Sequence, residues 1–252
     1  MNYPVLAYHK ITDQWELSYT MLYPKQFERQ MRALAKKGFR GKSLKEYLTD
    51  PGEKNFVLTF DDAYESVYRF AFPLLEELGF TATVFALSNY IGVKNTWDLV
   101  PGKIYSMHMN AQQLKELSTA GWEVASHGKN HLDMTVMDSD ELLSDLSESK
   151  EVLESIIEKS IDTFCFPFGR YNATVVEAAK SSGYNNLVGY TEKSKYGVIK
   201  RSSVYRVVDN HFSVLRKIRL KPCGMFVEHI KESFFHSFAW FARVKQKVNR
   251  KS

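Results

Sequence analysis

Short apolar runs alternate along the chain with longer segments whose apolar residues recur every three or four positions. Residues 5–8, 56–60, 81–87, 122–125, 163–166, 186–189 and 204–208 have the length and composition of buried strands. Between them, Phe27, Met31, Leu34 and Ala35 fall at i, i+4, i+7 and i+8, and Pro24 suits the first turn of that helix. Val67, Ala71, Leu74, Leu75 and Leu78 repeat the stripe, and Gly79 closes it. Asn110 with Gln113 and Asp138 with Glu141 read as helix starts, and Asn172 as a further cap. The helix after Asp138 is expected to turn Leu143, Leu146, Leu153, Ile156 and Ile157 inward. Strands alternating with helices predict a mainly parallel α/β fold. A distorted (β/α) barrel fits better than an open sheet, because the chemically interesting residues follow several different strands, where barrels build their sites.

Nothing in the pattern marks a linker before residue 222, so 1–222 is expected to form one catalytic domain and 223–252 a separate tail. In the tail, Phe226, Ile230, Phe234, Phe238 and Phe241 form an amphipathic helical stripe ending in Lys245, Lys247, Arg250 and Lys251. Such a helix either packs on the barrel, the favoured reading, or makes peripheral contact with an anionic membrane surface. The net charge of +5 comes partly from this end and gives no footprint for nucleic acid. Cys165 and Cys223 cannot make a disulfide framework, and no apolar run reaches the roughly 18 residues of a membrane-spanning helix. The start MNYPVLAYHK has neither the basic nor the long apolar region of a signal peptide. The expected location is therefore cytoplasmic, at the inner membrane surface if the tail binds lipid. Oligomeric state is not readable.

The chemistry begins at LTFDDAY, residues 58–64, where an apolar strand ends in two adjacent carboxylates. Two acids in one site repel, and one is forced to hold a proton unless a cation intervenes. With a cation, one carboxylate can bind it while the other stays free as a base. The plainer alternative is that Asp61 or Asp62 caps the following helix. WEVASHGKNHLD, residues 122–133, tips the balance, since His127 and His131 lie four apart directly after a strand. That spacing brings two imidazoles to one face of a helical turn, a usual geometry for a shared divalent metal. Two histidines and a carboxylate leave positions open for water and substrate.

TFDD followed by SHGKNH resembles the first two motifs of the polysaccharide deacetylases, the NodB-homology or carbohydrate esterase 4 family. FCFPFGRYN, residues 164–172, resembles the third, an aromatic-Pro-aromatic-Gly turn, and the likeness extends over roughly residues 3–215. It implies a barrel that hydrolyses N-acetyl groups from a glucosamine-type glycan, using one divalent metal, zinc first, with cobalt, nickel or manganese also suited. By motif, Asp61 is the general base and Asp62, His127 and His131 are the metal ligands. The Phe168 amide, presented by the turn at Gly169, holds the oxyanion.

Two positions depart from the family pattern. Ala63 stands where a glycine is frequent, which is tolerable if its φ is negative. Cys165 stands where many members have an arginine that tunes the base, and Arg170, just after the turn, is the candidate to replace it. The leaving amine also needs a proton donor. His9, His211 and His229 are candidates, and His9 is favoured because VLAYH ends the first strand and resembles circularly permuted members. Competing functions are hydrolysis of another amide or an O-acetyl ester on the same scaffold, and non-catalytic glycan binding.

Overall fold

The computed structural model describes residues 4–16, 18, 20–96, 106–190, 196–206, 213–215 and 218. The tail from 223, with Cys223 and His229, lies outside the described residues, and so does His211. In chain order the elements are β1 (Val5–Tyr8), β2 (Lys10–Ile11), β3 (Met21–Leu22), α1 (Pro24–Lys36), β4 (Arg40–Lys42), α2 (Leu44–Thr49) and β5 (Asn55–Phe60). A π-helical stretch, Val67–Ala71, then runs into α3 (Phe72–Glu77), followed by β6 (Thr83–Ala86), α4 (Ala111–Thr119), β7 (Glu123–Ser126) and α5 (Ser139–Ile157). The chain ends, as described, with β8 (Thr163–Cys165), α6 (Ala173–Ser181), β9 (Asn186–Gly189), β10 (Ile199–Lys200) and β11 (Ser202–Ser203).

Every pairing among these strands is parallel, in the order β10-β9-β8-β7-β6-β5-β1-β11, while β4 takes the first half of the β5 edge that β6 occupies further on. β10 and β11 are one segment bent at Arg201. Its first part pairs with β9 (Ile199 opposite Val188) and its second with β1 (Leu6 opposite Ser202), so these few residues close the barrel. Alternate residues of the strands face opposite ways. Val5, Val57, Phe85, Ala125, Cys165, Val188 and Ile199 cluster together as the barrel interior, joined by Leu44 and Tyr47 of α2. The other face, with Leu6, Leu58, Phe60, Val84, Val124 and Phe164, packs under the helices.

The helix starts follow from side-chain chemistry. Asn110, Asp138 and Asn172 each accept backbone N–H bonds at the head of α4, α5 and α6. Three expectations need correction. The last described strand pairing lies at 199–203 and not at 204–206 (207–208 lie outside the described residues), because pairing to Gly189 and Ala7 rather than local β-propensity decides where it runs; Val204 still donates to the Ala7 carbonyl (2.9 Å). In α5 it is Leu142 that is buried and Leu143 that is exposed, since the inward stripe is Leu142, Leu146, Leu153 and Ile157. The helix after Asp61–Asp62 is π-helical over Val67–Ala71 rather than α-helical throughout. Pro73 contributes no N–H for an ordinary α-helical bond, and the looser ladder still places Val67, Ala71 and Leu75 in the core.

Candidate metal centre and active site

The strand ends deliver the site. Asp61 follows β5, with its amide donating to the Tyr8 carbonyl (2.9 Å), and His127 follows β7, with its amide on the Ala86 carbonyl (2.9 Å). His9 follows β1, and Phe168 lies in the Pro167–Gly169 turn after β8. All open at the C-terminal end of the barrel, as expected for this architecture.

Asp62 Oδ1 lies 3.7 Å from His127 Nε2 and 3.6 Å from His131 Nε2, and all three residues are buried. Donor atoms about 2.0–2.2 Å from one cation sit roughly 3–4 Å apart, so this Asp–His–His set can hold a divalent metal. His127 Nδ1 donates to the Cys165 carbonyl (2.7 Å), which leaves the Nε2 lone pair facing Asp62. Burial holds His127 below its ordinary pKa and His131 well below it, so both present the neutral imidazole that metal binding requires.

The two histidines do not share a helical turn, as their spacing had suggested. Residues 127–131 form a loop that turns at Gly128 (φ +84°), and His131 itself has φ +51°. The loop is held from below by α5: the Lys129 amide donates to Asp145 Oδ1 (2.9 Å), and that oxygen would lie 2.6 Å from any Cβ at position 128.

Asp61 is not a helix cap. It faces Arg201, whose Nη2 donates to Asp61 Oδ2 at 2.8 Å while Nη1 engages Oδ1. Arg201 is 1% exposed and sits inside the barrel between the rings of Tyr190 (4.5 Å) and Phe85 (5.3 Å), with Nη2 3.0 Å from Cys165 Sγ. Burial alone would raise the Asp61 pKa; the Arg201 charge and its hydrogen bonds, with His9, outweigh this and hold it well below the usual carboxylate range. Asp61, His127 and Cys165 also lie close enough to form a ligand set, but the guanidinium against Asp61 and Cys165 repels a cation there. Of the two sets, the one with Asp62 is therefore the better suited to a cation.

His9 Nε2 lies 3.6 Å from Asp61 Oδ2, and its side chain keeps 22% exposure, enough to meet a substrate. Burial lowers its pKa to about 4 despite the Asp61 charge. Phe168 takes φ +57° and packs its ring edge on His131 (centroids 4.4 Å). Gly169, at φ +64°, is required twice over, since a Cβ there would collide with the Tyr190 ring.

Two expectations fail here. Ala63 has φ +49°, not a negative φ, so the turn carries strain that a glycine would avoid. Arg170 does not reach Asp61. It points outward and pairs with Asp133 (3.4 Å), and Arg201 fills the tuning position instead. Sequence reasoning missed Arg201 because nothing in IKRSSV marks it; only closure of the barrel between β9 and β1 turns that residue inward.

A parallel barrel carries at its mouth a buried Asp–His–His set able to hold a cation and, beside it, a second carboxylate held by an arginine. Comparison with known proteins makes this specific. The sequence model of the family "Polysaccharide deacetylase" matches residues 49–187, and the chain belongs to that family. It is 28% identical over 240 residues to YxkH of Bacillus subtilis, covering 90% of this chain and 77% of that protein. It is 26% identical over 183 residues to the poly-β-1,6-N-acetyl-D-glucosamine N-deacetylase of Staphylococcus aureus, covering 67% of this chain and 61% of that enzyme. Among solved structures, the Streptococcus pyogenes deacetylase PplD in complex with acetate shares the fold, with a TM-score of 0.75 at 21% identity over 87% of this chain and 99% of that one. IcaB from Ammonifex degensii does so at 0.68, with 20% identity over 86% and 96%.

Proposed function

We propose that this protein hydrolyses N-acetyl groups from an N-acetylated glycan, with a divalent cation, zinc first, held by Asp62, His127 and His131. The observation that carries the reading is the triad's 3.6 and 3.7 Å spacing beside an Arg201-paired Asp61 that His9 approaches from the other side. When bound, the cation would polarise the acetyl carbonyl and acidify the attacking water, which a base as weak as the Arg201-paired Asp61 requires. Asp61 takes the proton from that water. The Phe168 amide, fixed by the strained turn, donates to the oxyanion as the carbonyl carbon becomes tetrahedral. His9, neutral at rest and 3.6 Å from Asp61 Oδ2, passes that proton from Asp61 to the departing amine, so that acetate and a free amino sugar leave. Kinship with an enzyme named for poly-β-1,6-N-acetyl-D-glucosamine supports a β-linked N-acetylglucosamine substrate, whether polymer, oligosaccharide or lipid-linked.

The test is acetate release from a panel of N-acetylated and O-acetylated saccharides, with and without chelator. We expect release from the N-acetylated members, lost with chelator and restored by zinc. Asp61→Asn should lower turnover at least 100-fold with metal content unchanged, and His9→Ala should lower kcat without loss of metal. No release from any N-acetylated member by metal-loaded protein would overturn the reading. Release confined to O-acetyl esters would replace it.

A further inference from the structure

The turn that presents Asp62 is strained and is held by a residue the reaction scheme does not use. Asp62 (φ +66°) and Ala63 (φ +49°) are consecutive residues at positive φ, a conformation that at Ala63 in particular a glycine would adopt more readily. Residues 106–109 run beside this turn. On one side they meet 92–95, through Gly92 N to Met109 O (2.9 Å), His108 N to Val93 O (3.0 Å) and Asn95 N to Ser106 O (2.8 Å). On the other they meet 63–65, through Met109 N to Ala63 O (2.8 Å) and Glu65 N to Met107 O (2.9 Å).

From the middle of this ladder His108, 3% exposed, directs Nδ1 at the Asp62 carbonyl, 2.6 Å away. A carbonyl can only accept, so Nδ1 carries the proton. The ring cannot swing away. It stacks on Tyr64 at 4.8 Å and lies 5.1 Å from Tyr90, and Asn95 Nδ2 donates to the Tyr64 hydroxyl (2.7 Å).

We infer that His108 is a positioning residue for the metal centre: by bonding the Asp62 carbonyl it fixes the left-handed turn and thereby the place of the Asp62 carboxylate opposite His127 and His131. Ligand placement is exacting, within about 0.2 Å, and a turn released toward ordinary φ would carry the carboxylate away from the imidazoles. The inference rests on Asp62, His127 and His131 being the ligands.

Zinc affinity of the chelator-stripped full chain, measured by competition with a chromogenic chelator, tests it alongside urea unfolding of the metal-free protein. His108→Phe keeps a stacking ring and removes the donor. His108→Asn keeps an N–H near the position of Nδ1 and loses the ring. We expect the Phe variant to bind zinc about 10–100-fold more weakly and the Asn variant to stay within about threefold of wild type. That ranking should hold whichever variant is the more stable without metal. A purely structural role predicts instead that affinity follows metal-free stability. The Phe variant binding zinc like wild type, or both variants losing affinity equally, would overturn the inference. Should the Phe variant not fold, His108→Gln, whose amide sits one bond too far out, is expected to lose affinity similarly, and wild-type affinity there would also overturn it. Wild-type protein that takes up no zinc would overturn the metal centre itself, and this inference with it.

Discussion

At the scale of single residues, strain and charge are concentrated where the chemistry is. Among the described residues, the non-glycine positions with positive φ are Asp62, Ala63, His131 and Phe168 at the site and Glu158 at the end of a helix elsewhere. Such conformations persist only where surrounding contacts over-determine them. The Arg201–Asp61 pair is the other local extreme, a two-pronged ion pair inside the barrel. Removing one partner of a buried pair leaves an uncompensated charge, so Arg201→Met should cost about 3–5 kcal/mol in urea unfolding. It should also move the activity profile. Asp61 must be ionised to act as base, and without Arg201 burial raises its pKa, so the acid limb of kcat/KM shifts to higher pH. Arg201→Lys, which keeps the charge and loses the fork, should lie between. An unshifted acid limb in the Met variant would show that Arg201 does not tune the base.

At the scale of elements, α5 does two separable jobs. Its N-cap, Asp138, accepts from the amides of Asp140 (3.1 Å) and Glu141 (2.9 Å), and its buried Asp145 holds the 127–131 loop through the Lys129 amide. Asp138→Ala should therefore cost about 1 kcal/mol of stability and leave kcat/KM unchanged. Asp145→Ala should weaken metal binding, because it frees the loop that carries His131. Equal effects of the two on metal affinity would show that the loop does not depend on α5. Helix starts were legible because capping is a short-range chemical requirement. The inward face of α5 was misread by one residue, Leu143 for Leu142, because adjacent leucines leave the phase open until the sheet beneath is in place.

At the scale of the whole molecule, the barrel mouth buries a set of neutral histidines. His9 and His108 are each lowered by burial from 6.5 to about 4, and His127 and His131 are lowered as well. An unfolded chain would protonate them near 6.5, whereas the folded metal-free protein resists until about 4. Their contribution to stability is thus complete above pH 6.5 and lost as pH falls through that window; the Asp61 contribution disappears only at lower pH. Chelator-treated protein should show a falling unfolding midpoint from about pH 6.5 to 4, and a flat midpoint would contradict the neutral-histidine picture. Most strands, the helix caps and the strand-end placement of Asp61, Asp62, His127 and His9 were readable in the sequence, because apolar runs, capping residues and paired ligand types are local signals, whereas the roles read for Asp61 and His9 leaned on the family resemblance. The closure of the barrel at 199–203, the arrival of Arg201 beside Asp61, the loop that replaces a helical turn between the histidines, and His108 beneath Asp62 were decided by tertiary structure alone. Each is a contact between residues far apart in the chain, 140 positions for Arg201 and Asp61 and 46 for His108 and Asp62, and no periodicity along a sequence reports which distant segments the packing will bring together.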